Sequence, residues 1–219
     1  MSNTRQILFW SGGFDSTAVL LHLLKTRDVS TTLVICGCNL TNAPCQSEDL
    51  EARKAIADIL QLTKLVNVQY TEASVTIDAP TGLGGQAQVW AYLASSAVLE
   101  SVDNILTMGY IKHDDFWHFR PWFENAVTNL IQCSSDNVSI TYHYPFEWFE
   151  KRALVHHYFD HPDVFGKISW AGDNGECKLK EKAEIQNVLQ NYWAHNPSAE
   201  HLTSSTTTPV TKQDDDYYI

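Results

Sequence analysis

The chain has 219 residues, 26 acidic against 15 basic side chains and a formal net charge of -11. Such a chain repels phosphate backbones at long range, which argues against a nucleic-acid-binding scaffold. Hydrophobic residues at 44% and charged residues at 19% are ordinary globular composition, enough for one α/β domain with its own core.

The apolar run after Met1 to Arg5 is too short for a signal peptide, and no later run approaches a membrane span. Five cysteines without framework spacing suit a reducing compartment, so a cytoplasmic location and no membrane partner are expected.

Apolar β-rich runs alternate with helical patterns. Gln6 to Trp10 is predicted as a first strand, followed by a helix over Thr17 to Lys25 with Val19, Leu20, Leu23 and Leu24 inward. Thr32 to Cys36 is a second strand. Ser47 to Leu60 is a helix whose first turn carries Glu48, Asp49 and Glu51, the charge sign that the helix dipole favours. A third strand runs over Leu65 to Tyr70, an Ala-rich helix over Gln86 to Leu99 and a fourth strand over Asn104 to Gly109. A helix over Pro121 to Cys133, a fifth strand over Val138 to Tyr144 and a helix over Trp148 to Phe159 complete the pattern.

This alternation predicts an α/β fold with a doubly wound, parallel, five-stranded sheet and helices on both faces. Residues 1–196 are expected to form a single domain. Beyond about Asn196 the Ser-, Thr- and Pro-rich stretch ending in Lys212-Gln213-Asp214-Asp215-Asp216 is expected to be a disordered acidic tail, 197–219.

In doubly wound sheets ligands bind beyond the carboxyl ends of the strands. The loop after the first strand reads Ser11-Gly12-Gly13-Phe14-Asp15-Ser16-Thr17. Gly12 and Gly13 let backbone N–H groups close around an oxyanion, and the helix that follows adds the positive end of its dipole. Ser11, Ser16 and Thr17 supply hydroxyls. Asp15, a poor direct partner for phosphate, suits a Mg²⁺ that bridges phosphate oxygens. The run lacks the Gly-Lys-Ser/Thr ending of the Walker loop and the spacing of the dinucleotide motif. A Gly-rich turn with Asp15 or Ser16 as N-cap is the structural alternative.

The seven-residue string resembles SGGxDST, the PP-loop of the ATP pyrophosphatase superfamily with its adenine nucleotide alpha hydrolase-like fold. Within that superfamily the rest of the chain is most similar to 7-cyano-7-deazaguanine synthase of queuosine biosynthesis. The similarity is carried by Glu48 and Glu51 after the second strand, and by Pro80 to Gly85 before the Ala-rich helix. It continues in Gly109, Asp114, Asp115, the aromatic turn Phe116 to Phe119, Arg120-Pro121, and Pro145 with Lys151.

The resemblance implies an ATP-dependent, carbon–nitrogen bond-forming ligase with ATP and Mg²⁺ as cofactors. ATP would contact Phe9, Ser11, Gly12, Gly13, Phe14, Asp15, Ser16, Thr17, Cys36, Gly37 and Gly109. Asp15, Ser16 and Lys151 would be catalytic, with Asp15 also the metal ligand. Asp114, Asp115, Phe116 and Arg120 would hold a 7-deazaguanine-like acid, with ammonia as second substrate; for the aromatic segment Phe116 to Phe123 a packed satellite core is the alternative. A relative that adenylates another substrate, or a nucleotide-binding module without turnover, stays open, as does a homodimer.

The chain departs from the family at Leu40-Thr41-Asn42-Ala43, at Gln86-Ala87 and in the zinc region. There Trp170 to Cys177 keeps one cysteine where the family has a cluster, so zinc is not expected. Cys36, Cys38 and Cys45 are better read as small residues near the second strand's end than as a thiolate cluster. His156, His157 and His161 with Cys177 make a poor chelate, because adjacent helical residues diverge by about 100°. Lys112 is the competing candidate for a phosphate-binding cation, with solvated surface lysine as the ordinary case.

Overall fold

The computed structural model describes residues 4–40, 46–75, 86–170 and 176–197. Five parallel strands form one sheet: β1 (Thr4–Trp10), β2 (Thr32–Leu40), β3 (Val68–Val75), β4 (Asp103–Met108) and β5 (Ser139–His143), in the order β3-β2-β1-β4-β5. The expected class and strand count are what the structure has. The chain builds outward from β1 to β3, crosses back over the sheet, and builds outward again through β4 and β5. The order therefore switches between β1 and β4, and the crevice that such a switch opens lies at their carboxyl ends.

Alternation along the central strands assigns the two faces. Leu8 and Trp10 of β1 and Leu33 and Ile35 of β2 pack on one side with α1 (Phe14–Thr26) and α2 (Gln46–Ile59). Ile7 and Phe9, with Val34 and Cys36, face the other side, against α3 (Gln86–Ala97) and α4 (Phe116–Gln132). Strands buried on both faces read as continuous apolar runs, which is why the first two were conspicuous.

Several elements differ from expectation. α4 begins at Phe116 rather than Pro121, so the proline sits inside the helix. Pro121 forfeits the N–H that would pair with the Trp117 carbonyl. The first turn is held instead by its aromatics: Phe116 stacks on Tyr110 at 3.7 Å, and Trp117 Nε1 donates to the Ile111 carbonyl at 2.6 Å.

The segment expected as a helix over Trp148 to Phe159 is a 3₁₀ helix, Lys151–Tyr158. Three residues per turn align Lys151, Leu154 and His157, which adjoin different parts of the molecule. Two further helices follow where none was expected, the short α5 (Pro162–Phe165) and the long α6 (Glu176–His195). α6 buries Ile185 and Leu189 and donates from Trp193 Nε1 to the Phe159 carbonyl at 2.8 Å.

Among the described residues no helix is long and apolar enough to cross a membrane. Cys45, the Pro80 to Gly85 segment and the acidic tail from 198 onward lie outside the described residues, and nothing of the Cys177 side chain is described.

Where the far end of α1 meets the 3₁₀ segment, His22 lies 5.4 Å from the His157 ring and His156 lies 3.9 Å from it. Burial, then His156, His22 and Lys25, push His157 down from 6.5 to about 4. Its neutral form is therefore favoured by folding. Between pH 6.5 and about 4 the unfolded chain takes up the proton first, so stability falls with pH across that window. Solvent screening of this half-buried ring leaves an effect of about 1 kcal/mol. Denaturant midpoints measured across that range should fall for the wild type and fall less for His157→Gln; parallel curves would remove His157 as the cause.

Candidate active site

The carboxyl end of β1 enters α1 through Ser11, Gly12 and Gly13. Gly12 has φ +89°, and a Cβ there would lie 2.9 Å from Arg53 Cγ and 3.1 Å from the Asp49 carbonyl oxygen. Both the conformation and the space demand glycine. Gly13 is the N-cap of α1 and makes no side-chain cap bond, so the first turn presents its backbone N–H groups and the positive end of the dipole. The Ser11 and Ser16 hydroxyls are 2.8 Å apart. Ser11 N–H donates to Ser16 Oγ at 3.3 Å, and Gly13 N–H donates to Ser11 Oγ at 3.3 Å.

A cavity of about 290 Å³ opens over this turn, at the low end of the volumes of small-molecule sites. Ser11, Gly13, Asp15 and Ser16 form its floor. Phe9, Trp90 and Tyr110 line it from the α3/α4 side, and Phe14 and Trp170 from the α1 side. Gly109 completes the floor where β4 ends; a Cβ on it would come within 2.7 Å of Ser16 Cα. Asp49, Asp114 and Ser169 also line the cavity.

Among the described residues lining the cavity, Lys151 is the only basic one. Its Nζ is 3.6 Å from Asp15 Oδ2 and 3.9 Å from Glu181 Oε2. The side chain is 12% exposed, so its ammonium is partly withdrawn from water, where its charge acts more strongly. Ser169 Oγ donates to Asp49 Oδ1, while burial pushes the Asp49 carboxyl up. Asp114 Oδ2 accepts the Ile111 N–H at 2.8 Å. Burial, with Asp114 nearby, pushes the Tyr110 phenol up to about 12, so it is a hydrogen-bond donor at neutral pH.

Of the residues singled out in the sequence, Phe9, Ser11, Gly13, Phe14, Asp15, Ser16, Gly109, Asp114 and Lys151 line this one cavity. Gly12 and Thr17 stand just behind it; Thr17 is fully buried and its Oγ1 accepts the Trp10 indole N–H at 3.0 Å. Cys36 faces the core on the α3 side, and Gly37 packs against Glu72 and Arg53.

Asp115, Phe116 and Arg120 also lie away from the lining. Phe116 is core, and Asp115 is exposed at the start of α4. Arg120 donates to Glu124 at 2.8 Å and Glu147 at 3.3 Å, with its guanidinium 4.6 Å from the Tyr144 ring. Lys112 sits at the surface, 3.4 Å from Glu150.

Sequence reasoning missed Trp90, Tyr110, Ser169 and Trp170, and took Asp49 only as a complement to the helix dipole. It also missed Arg53. That guanidinium, 1% exposed, pairs with Glu72 through Nε at 2.7 Å and Nη2 at 3.0 Å.

Two carboxylates or fewer, together with ligand oxygens and water, are enough for Mg²⁺, and Asp15 at the floor has the chemistry for that part. Among the described residues no group of three or more His, Cys, Asp or Glu side chains is arranged to hold a metal. Burial pushes the Cys36 thiol up and the Cys38 thiol to about 11, so both are protonated at neutral pH. What the cavity offers is a cradle of backbone donors and hydroxyls, one ammonium, one floor carboxylate and aromatic walls on both sides. Such a set has the chemistry to bind and polarise a phosphorylated ligand.

No protein-family model matches the sequence, and no curated protein matches it. Among solved structures the chain is similar to a predicted subunit of tRNA methyltransferase from Methanocaldococcus jannaschii. The identity is 16% over 70% of this chain and 73% of that one, with a TM-score of 0.40. It is also similar to the tRNA thiolase NcsA from Methanococcus maripaludis, solved with its 4Fe-4S cluster. There the identity is 13% over 98% of this chain and 77% of that one, with a TM-score of 0.47. At these levels neither likeness bears on activity, and the α/β class rests on the sheet itself.

Proposed function

We propose that this protein is an ATP-dependent enzyme of PP-loop type that transfers adenylate to a substrate carboxylate with release of pyrophosphate. The observation that carries the proposal is the convergence of the Ser11–Thr17 turn, the start of α1 and Lys151 on one cavity at the switch between β1 and β4. The turn and helix end supply donors for phosphate oxygens, and Lys151 balances their charge. Mg²⁺, held by Asp15 and phosphate oxygens, would neutralise further charge on the triphosphate.

In this reaction a carboxylate oxygen bonds to the α-phosphorus and the α–β bridging bond breaks. Pyrophosphate departs with the electron pair. Attack of ammonia on the acyl adenylate then gives an amide and AMP. The protein's part is to place the reactants and to stabilise charge on the leaving group.

The acceptor closest to the sequence resemblance is 7-carboxy-7-deazaguanine, with a second activation turning the amide into a nitrile. A different acceptor is the second reading, favoured by the engagement of Arg120 with Glu124 and Glu147 away from the cavity. Incubation with Mg-ATP, 7-carboxy-7-deazaguanine and ammonium separates them. Nitrile product supports the first acceptor; pyrophosphate release with another carboxylic acid supports the second. No pyrophosphate release with any carboxylic acid would refute adenylate transfer.

Asp15→Asn keeps the size of the side chain and removes its charge. It should abolish Mg-dependent pyrophosphate release, a loss of about 100-fold or more, with the fold retained. Full activity in that variant would remove Asp15 from the metal role.

A further inference from the structure

The cradle has carbonyl oxygens as well as N–H groups, and a carbonyl turned toward the cavity would repel a phosphate. Each of the four successive carbonyls from Ser11 to Phe14 is taken by a donor. Ser11 O accepts from Arg53 Nη1 at 2.9 Å. Gly12 O accepts the Ser169 N–H at 3.1 Å, and Gly13 O accepts the Thr17 N–H at 3.0 Å. Phe14 O accepts from the Tyr158 hydroxyl. The peptide bonds of this turn are trans, and in a planar trans peptide the N–H points opposite to the C=O. Fixing these carbonyls therefore fixes the direction of the N–H groups from Gly12 to Asp15.

The first of these anchors differs from the rest. The Thr17 bond belongs to α1 itself, whereas Arg53 reaches the turn from α2 with a charged group that is 1% exposed. Burying a guanidinium is costly unless it is paired, and here Glu72 on β3 takes two of its N–H groups while receiving the Tyr70 hydroxyl. Glu72 cancels most of the charge of Arg53 at a distance, so what reaches the turn is direction. The fork is locked by Glu72, and its remaining nitrogen meets Ser11 O.

Space is reserved for this arrangement. A Cβ on Gly12 would collide with Arg53 Cγ, and one on Gly37 would collide with the Glu72 carboxylate and lie 2.7 Å from Arg53 Nε. Two glycines, on the turn and on the neighbouring strand, thus accommodate one ion pair.

We propose that Arg53, locked by Glu72, is a positioning residue that sets the anion-binding geometry of the Ser11–Thr17 turn. The proposal rests on the phosphate-binding reading of that turn. Arg53 touches no ligand; it acts through the Ser11–Gly12 peptide.

The test uses the full-length protein with inorganic pyrophosphate and adenosine as separate probes, read by isothermal titration calorimetry. Arg53→Lys keeps the charge and loses the fork. Gly37→Ala keeps every charged group and displaces the pair, so it covers the case in which Arg53→Lys fails to fold. Each folded variant should bind pyrophosphate at least about tenfold more weakly with adenosine affinity within twofold of the wild type. Unchanged pyrophosphate affinity in a folded variant overturns the inference, and so does an equal loss for both probes, which would mark a general structural role. A wild-type protein that binds neither probe overturns the nucleotide reading itself and this inference with it, an outcome distinct from the other two.

Discussion

Gly109→Ala should lower the stability of the protein by about 2 kcal/mol, the usual cost of adding atoms to a packed interior, and weaken pyrophosphate binding at least about tenfold. The methyl group would lie 2.7 Å from Ser16 Cα, 3.0 Å from Ser16 N and 3.2 Å from Ser16 Cβ. Two of those atoms are backbone, in the first turn of α1, so no rotamer change can relieve the contact. β4 and the start of α1 would have to separate.

That separation has a functional direction. Ser16 Oγ meets both the Ser11 N–H and the Ser11 hydroxyl, so moving Ser16 opens the turn from one side. Core substitutions elsewhere should lower stability without this effect. Leu189→Ala in α6, with Leu189 fully buried, is expected to cost about 3 kcal/mol and leave pyrophosphate affinity unchanged at temperatures where the variant is folded. Denaturant titration and calorimetry on the two variants check both halves. A Gly109→Ala protein that loses stability and keeps full affinity would show that the β4–α1 contact is packing alone.

The sequence made the turn legible because its chemistry is local. Two adjacent glycines after an apolar strand, followed by hydroxyls and a helix, specify a donor-rich turn whatever the rest of the chain does. The sheet was legible for a related reason: strands buried on both faces read as unbroken apolar runs, as Ile7 to Trp10 and Leu33 to Cys36 do. Long-range convergence carries no such mark. Ser169 reaches the turn through a backbone bond to Gly12 O, and nothing adjacent in sequence announces it.

Arg53 is hidden in the same way, since an arginine on an acidic helix looks like a solvated side chain until Glu72 is found opposite it on β3. α6 was missed where a signal did exist. Ile185, Leu189 and Trp193 recur every four residues, the stripe of a helix that buries one narrow face, but the surrounding charged residues dilute it. The sequence leaves core and ligand contact open for Phe116; its ring packs into the core, and it is Tyr110, stacked upon it, that reaches the cavity.

Lys151→Met should reduce pyrophosphate release by about 100-fold or more, the usual loss when one well-placed group stabilising transition-state charge is removed. Asp15, Asp49 and Asp114 all line the cavity, and the whole chain carries a net charge of -11. A polyphosphate entering such a site meets like charge. Lys151, with its Nζ 3.6 Å from Asp15 Oδ2 and a side chain only 12% exposed, is the described cation placed to offset it.

The placement depends on the 3₁₀ geometry of Lys151–Tyr158. Leu154, one turn on, and Tyr158 at the end of the segment are fully buried. Tyr158 also bonds the Phe14 carbonyl, tying the far end of the segment to the same turn. Methionine preserves the length and apolar stem of the side chain, so folding should survive while the charge is lost. Lys151→Arg should restore part of the activity, because charge returns with a different shape. The comparison to make is pyrophosphate release under saturating Mg-ATP, alongside melting temperature, for the wild type and both variants. Wild-type turnover in Lys151→Met would mean that the backbone donors suffice without the Lys151 charge, and would remove Lys151 from the catalytic role.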